Sequence, residues 1–196
     1  MRAGPGLHPG LDQPYQVLMA KIAAPLELPD ITLRAVQDED GVSVAGLIAA
    51  CFAEYDGCQF SWDEFPELMA PAAWAASRGT RFWIAEGKGG EIAGCICATP
   101  DAGEREAGVQ EPDVRVELHK FYVASHLRGS GLAGILIAKV FELARDTSAS
   151  AIFLWTDIRF ARAHSFYEKH GFVRQPGSRL LHDISDTTEF HYRREL

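Results

Sequence analysis

The sequence predicts a mixed α/β (α+β) domain, and three observations carry that expectation. An alternating run from Val114 to Val123 leads through a glycine-rich turn into an apolar-periodic run from Leu132 to Ala144, which is a strand, a turn and a helix in succession. Two β-rich runs, Arg81 to Glu86 and Glu91 to Thr99, flank Gly87-Lys88-Gly89-Gly90 as the arms of a hairpin. Between the first strand and that hairpin, Val44, Leu47, Ile48 and Cys51 recur at helical spacing.

The chain has 196 residues, enough for one domain with a sizeable core and hardly enough for two. Hydrophobic residues make up 47% and charged residues 23%, the balance of a soluble globular protein. No apolar run approaches the ~20 residues that span a bilayer, and no secretory signal pattern opens the chain. A membrane partner is therefore not expected, and the expected location is cytoplasmic. The formal net charge of −8 disfavours nucleic acid, which needs a basic face. Cys51, Cys58, Cys95 and Cys97 lack the spacing of a zinc site, so no metal is expected and the thiols belong in a reduced core.

In chain order, residues 1–29 are rich in Gly and Pro and have no sustained period, which predicts a flexible arm with at most a short helix near Tyr15 to Ala23. Residues 30–196 form the single folded domain. Ile31 to Val36 alternates as the first strand, and Asp38 or Asp40 is placed to cap a helix running to about Ala53. The turn from Phe52 to Cys58 carries Glu54, Tyr55 and Asp56. Asp63 opens a second helical stretch to about Ser77, interrupted by Pro66 and Pro71. After the hairpin, Pro100 to Pro112 is a polar loop longer than most connections. Val114 to Val123 returns as a central strand, and the helix from Leu132 turns Leu132, Ile135, Leu136, Val140 and Leu143 inward. A strand from Ala149 to Thr156 and a helix ending at Gly171 follow. Phe172 to Gln175 and the alternating Glu189-Phe190-His191-Tyr192 close the sheet.

The turn between Val123 and Leu132 is an anion site by construction. The first amides of a helix lack internal partners, the helix dipole adds about half a positive charge, and glycine lets a phosphate approach the backbone. The main-chain amides from Leu127 to Ala133 (Leu127, Arg128, Gly129, Ser130, Gly131, Leu132 and Ala133) are the expected seat of a pyrophosphate. Gly129-Ser130-Gly131-Leu132-Ala133-Gly134 satisfies G-x-G-x-x-G, but five residues separate it from the strand. Arg128 stands where a dinucleotide has no need of a cation, and too little chain follows Asp157 for a doubly wound sheet.

A different pattern fits better. Arg128-x-x-Gly131-x-Ala133 after Tyr122-Val123, followed downstream by Ala163-His164-Ser165-Phe166-Tyr167-Glu168-Lys169-His170-Gly171-Phe172, resembles the GNAT superfamily of acyl-CoA-dependent N-acetyltransferases over residues 31 to 196. The resemblance implies a mixed, mostly antiparallel twisted sheet of about six or seven strands, splayed between 114–123 and 149–156 and flanked by about four helices. It implies acetyl-CoA as cosubstrate and an amine, of a small molecule or a protein, as acceptor. Phe121, Tyr122 and Val123 would meet the pantetheine arm through their main chain, and the Val123 amide would polarise the thioester carbonyl. Tyr167 would be the general acid toward the departing thiolate. Glu117 is the candidate base, with His119 two residues on and on the same face, and alternation would turn Phe121 the same way. His126 and His164 are further candidates for proton transfer. Glu54, Tyr55 and Asp56 border the acceptor pocket by the same resemblance, or else form a solvated acidic turn. Phe160 stands where many relatives carry an asparagine that holds the CoA arm. An acyl-CoA-binding module without turnover is the alternative, and a homodimer is compatible with either.

Overall fold

The computed structural model describes residues 30–101 and 114–196. The predicted arm at 1–29 and most of the predicted loop after Pro100 lie outside the described residues. Pro100 and Asp101 themselves are still strand.

Among the described residues, eight strands form one sheet: β1 Ile31–Ala35, β2 Arg81–Gly87, β3 Ile92–Asp101, β4 Arg115–Val123, β5 Ala151–Asp157, β6 Val173–Arg174, β7 Arg179–Leu180 and β8 Thr188–Glu195. Their order is β1-β2-β3-β4-β5-β8-β6, with β7 also on β8. Every pairing is antiparallel except β4 with β5. β6 lies within the expected strand from Phe172 to Gln175, so the excess over the expected strand number comes from β7, two residues long. Four α-helices flank the sheet: α1 Gly41–Phe52, α2 Pro71–Ser77, α3 Leu132–Asp146 and α4 Ala161–Lys169.

The sheet is buried on both faces. On one, Leu136, Ile137, Val140 and Phe141 of α3 pack on Ile96, Leu118, Ile152 and Leu154. On the other, Val44, Leu47 and Ile48 of α1 pack on Phe82, Ile84, Cys95 and Cys97. Each fully buried aliphatic side chain contributes about 1.5–3 kcal/mol. The inward face of α3 is wider than the predicted stripe. Ile137, Phe141 and Ala144 are buried, whereas Ile135 and Leu143 are half-buried.

Two capping expectations are corrected. Asp40 occupies the N-cap position of α1, but its carboxylate makes no cap hydrogen bond; it accepts from Arg34 at 2.7 and 2.8 Å and from Gln37 N at 2.7 Å. Asp38 caps a different helix, accepting from Ala72 N and Ala73 N of α2 at 2.8 and 3.0 Å. Gly41 lets α1 meet the 3₁₀ turn Pro66–Met69, since a Cβ there would overlap the Leu68 carbonyl oxygen.

The parallel ladder between β4 and β5 runs only from Arg115↔Ala151 to Leu118↔Leu154. Beyond it the strands part, and β5 continues on β8 to Asp157↔Glu189. The last five residues of β4 therefore keep β3 on one side and leave the other side open.

Candidate active site

Two cavities lie along this split. The larger, about 680 Å³, is lined by Glu117, His119 and Lys120 of β4, Trp155 and Asp157 of β5, and residues of the segment from Arg179 to Glu189. The smaller, about 240 Å³, is lined by Cys51, Tyr55, Val123, Arg128, Gly129, Ala133 and Arg162. Phe121, Tyr122, Phe160, Ala163 and Tyr167 line both, so they form the partition between them.

A bulge decides which side chain faces which way. Cys95 lies opposite Tyr122 but Cys97 lies opposite His119, so β4 holds one residue more than β3 over this span. Lys120 absorbs it at φ +49°, and a bulge reverses the alternation beyond it. Glu117 and His119 share a face as expected. Phe121 does not follow them: it joins the α3 face, in edge contact with Phe166 at 5.5 Å, while Tyr122 turns to the α1 face beside Phe52.

Val123 stands opposite Gly94, and the next amide, Ala124 N, donates to Ala93 O at 2.9 Å. Alternation then directs the Val123 N–H and C=O away from β3. The carbonyl accepts from Arg128 Nε at 3.2 Å. The N–H is left to the smaller cavity.

The glycine turn divides its amides. Leu127 N donates to Ala124 O, Arg128 N to Ser125 O and Ser130 N to Leu127 O, at 3.0–3.3 Å. Leu132 N reaches Ser130 Oγ at 3.4 Å, and the Leu132 side chain is wholly in the core. The amides without a hydrogen-bond partner among the described residues are those of Gly129, Gly131, Ala133 and Gly134. The expected seat at Leu127 to Ala133 thus narrows, and shifts one residue into α3. Gly129 and Gly131 have φ +82° and +96°, the left-handed region that favours glycine.

Arg128 is not a free cation. It grips Glu54 with both nitrogens, at 2.5 and 2.7 Å. Glu54 and Tyr55 accordingly sit near the glycine turn rather than beside His119. The Arg128 hydrogen bonds lower the pKa of Glu54, and Tyr55 packs on Phe160 at 4.7 Å between ring centres. Asp56 is exposed.

Tyr167 is 4% exposed, among Phe121, Phe166, Phe172 and Tyr192. Burial raises its pKa, so the phenol stays protonated. Its hydroxyl makes no hydrogen bond to a described residue. Glu117 likewise has neither hydrogen bond nor ion pair among the described residues; burial raises its pKa, opposed by the charge of Arg179. His119 donates to or accepts from Thr99 Oγ1 at 2.9 Å, and burial, aided by the neighbouring Lys120 charge, pushes its pKa down to about 3. His164 is tied through Nε2 to Asp157 O at 2.9 Å and stacks on Tyr192, a structural position.

Several wall residues carry no signal that sequence reasoning used. Asp157 is 6% exposed and forked by Arg159 at 2.7–3.0 Å. Lys120 pairs with Glu67 and lies over the rings of Phe65 and Trp74. Arg179 pairs with Glu189 at 2.6 Å and covers Trp155 at 4.2 Å. Arg162 enters the smaller cavity from α4. Among the described residues, no cluster of three or more His, Cys, Asp or Glu side chains could hold a metal, and no helix is long and apolar enough to cross a membrane.

Comparison with known proteins places this geometry. The chain is 35% identical over 96 residues to N-acetylaspartate synthetase of Danio rerio, covering 49% of this chain and 30% of that protein. It is 32% identical over 100 residues to N-acetyltransferase 8 of Mus musculus, covering 50% of this chain and 40% of that one. The chain therefore spans less than half the length of these curated relatives. Among solved structures, a GNAT-family acetyltransferase from Staphylococcus aureus Mu50 superposes with TM-score 0.67 at 20% identity, over 85% of this chain and 99% of that one. The NatC complex bound to Gag peptide and CoA superposes with TM-score 0.62 at 19% identity, over 85% and 99%. The family model described as "Acetyltransferase (GNAT) family" matches residues 48–172, which include β4, the glycine turn and Tyr167. The chain belongs to the GNAT acetyltransferase family.

Proposed function

We propose that the protein is an N-acetyltransferase that passes the acetyl group of acetyl-CoA directly to a primary amine with both substrates bound. The observation that carries this reading is the position of Tyr167 in the partition of the two cavities, beside the open edge of β4. Acetyl-CoA enters from the glycine turn. Its diphosphate takes the open amides of Gly129, Gly131, Ala133 and Gly134, and its arm runs along Phe121 to Val123. The Val123 N–H points at the thioester oxygen, where negative charge grows as the amine adds.

The acceptor occupies the larger cavity. It arrives as an ammonium and yields a proton to Glu117, directly or through a water. The neutral amine forms the new C–N bond, the C–S bond breaks, and the Tyr167 hydroxyl protonates the departing sulfur. The phenol recovers its proton from the amide nitrogen by way of solvent. A buried phenol and a partly buried carboxylate lining one cavity suit these two roles, because one is kept protonated and the other holds its proton more readily than an exposed glutamate. No metal enters the scheme. The same reading has the chain work in the cytoplasm, where its four free cysteines stay reduced.

The test is thiol release from acetyl-CoA with a panel of amines, alongside calorimetry with CoA. Saturable CoA binding and amine-dependent thiol release are expected. CoA binding without turnover on any amine would instead favour a binding module, and an intact fold that binds no CoA would end the reading.

A further inference from the structure

The walls of the larger cavity bear on the kind of amine it takes. Five carboxylates line it (Glu64, Glu117, Asp157, Asp183 and Glu189) against two cations, Lys120 and Arg179. Each cation is already answered. Lys120 pairs with Glu67, and Arg179 with Glu189 at 2.6 Å. The nearby Arg159 is spent on Asp157. Two further carboxylates are held by main-chain amides, Glu64 by Ile184 N at 2.7 Å and Asp183 by Ser185 N and Thr187 N at 3.2 and 2.8 Å. Glu117 alone of the five is unpartnered among the described residues. His119 is neutral and turned to Thr99.

Such a cavity attracts a cation at Glu117 and offers no unspent lysine or arginine to a carboxylate, the remaining basic side chain of its lining being His182. An acid group brought inside would either stay unpaired, at several kcal/mol, or have to break an existing pair. Much of the remaining wall is aromatic, with Phe52, Phe65, Tyr122, Trp155 and Phe160, beside the aliphatic Leu180 and Leu181. Phe160 stands at the partition and covers the place where the amine must meet the thioester. The molecule already shows how such a wall treats an ammonium, since Lys120 Nζ sits 5.3 Å from the ring centre of Phe65 and 5.5 Å from that of Trp74.

We infer that the acceptor is an amine carried on an apolar, preferably aromatic, body with no carboxylate near the nitrogen, its ammonium bound at Glu117 between Tyr122, Trp155 and Phe160. This deepens the acetyl-transfer reading and rests on it. It sets this chain apart from the acceptor that the name of its N-acetylaspartate-forming relative implies.

The test compares kcat/KM for phenethylamine, ethylamine, phenylalanine and aspartate at saturating acetyl-CoA, with acetyl-CoA binding measured separately. Phenethylamine and phenylalanine differ only by the carboxylate, and phenethylamine and ethylamine only by the ring. Phenethylamine is expected to exceed each of the other three by at least about tenfold. Equal or better use of phenylalanine or aspartate overturns the inference and leaves acetyl transfer standing. So does use of ethylamine at the same efficiency, because the aromatic wall would then select nothing. Acetyl-CoA binding with no turnover of phenethylamine also overturns it. Absence of acetyl-CoA binding in a folded protein removes the acetyl-transfer reading itself.

Discussion

Arg128 and Glu54 join the glycine turn to the end of α1 through a two-pronged ion pair, with Nη1 to Oε2 at 2.5 Å and Nη2 to Oε1 at 2.7 Å. The same guanidinium holds the Val123 carbonyl at 3.2 Å. One side chain thus fixes the end of β4, the turn and the helix that carries Phe52. It also means that the positive charge nearest the open amides is neutralised in place. Glu54→Gln keeps a hydrogen-bond partner but removes the negative charge. CoA binding by calorimetry is expected to tighten a few-fold at low salt, with the gain fading as ionic strength rises. Unchanged or weaker binding would mean that Arg128 serves only to brace the backbone.

Tyr167→Phe removes one hydroxyl from a pocket that makes no hydrogen bond to it, so the fold should be untouched. If the phenol protonates the leaving thiolate, kcat should fall by roughly 10²-fold with KM for acetyl-CoA nearly constant. A loss of less than about threefold in kcat would remove Tyr167 from the chemistry.

Glu117 sets function against stability. Its folded pKa lies above the unfolded value, so protonation favours the folded state. That contribution is fully present below the unfolded pKa and is lost as pH rises through the folded one. Glu117→Gln should therefore raise the melting temperature at pH 7, with the gain over the parent vanishing in acid below the ordinary glutamate pKa. In the same variant thiol release should fall sharply. A variant no more stable at pH 7 would show that Glu117 is better hydrated than its burial implies.

His119 has the opposite sign. Its pKa is pushed down to about 3 by burial first and the Lys120 charge second, so the folded state resists protonation. Between the ordinary histidine pKa near 6.5 and about 3, the unfolded chain binds the extra proton and stability falls as the solution is acidified. His119→Asn keeps a hydrogen-bonding group for Thr99 and removes the titration. Its acid-unfolding midpoint, followed by circular dichroism, should move to lower pH. No movement would place the acid-sensitive group elsewhere.

Gly41→Ala tests the contact between α1 and the 3₁₀ turn Pro66–Met69. The backbone conformation at this first residue of α1 suits alanine. The new methyl would nevertheless overlap the Leu68 carbonyl. A net loss of about 1–3 kcal/mol by denaturant unfolding is expected. A neutral result would show that the turn yields freely, and with it Glu67 and the Lys120 ammonium.

Much of this was legible before any coordinates. Alternation locates β1 to β5 within a residue or two, and the first half of β8, because those strands are long enough to show their period. The short β6 falls inside the strand expected from Phe172 to Gln175, whereas β7 is not separable by period, since two residues have none. The glycine turn and Tyr167 were recognisable from local order. The facing of Phe121 was not, because a bulge depends on how β4 meets β3 and Lys120 gives no local sign of it. Glu54 looked like an acceptor residue since nothing local reveals a partner 74 positions away. Arg179 and Asp157 were invisible for the same reason: the cavity draws its far wall from segments that meet only through β8.

The extra residue at Lys120 also makes β4 a strand with two parities. Counting by twos from Glu117 gives the acceptor side up to His119 and the opposite side thereafter. A single deletion between His119 and Phe121 would restore uniform parity. It would leave Phe121 on the α3 face and Val123 opposite Gly94, its amide still turned away from β3, because the later pairs already allow for the extra residue. Shortening the strand by one position there should therefore keep both the ligand groove and the hydrophobic interior in place.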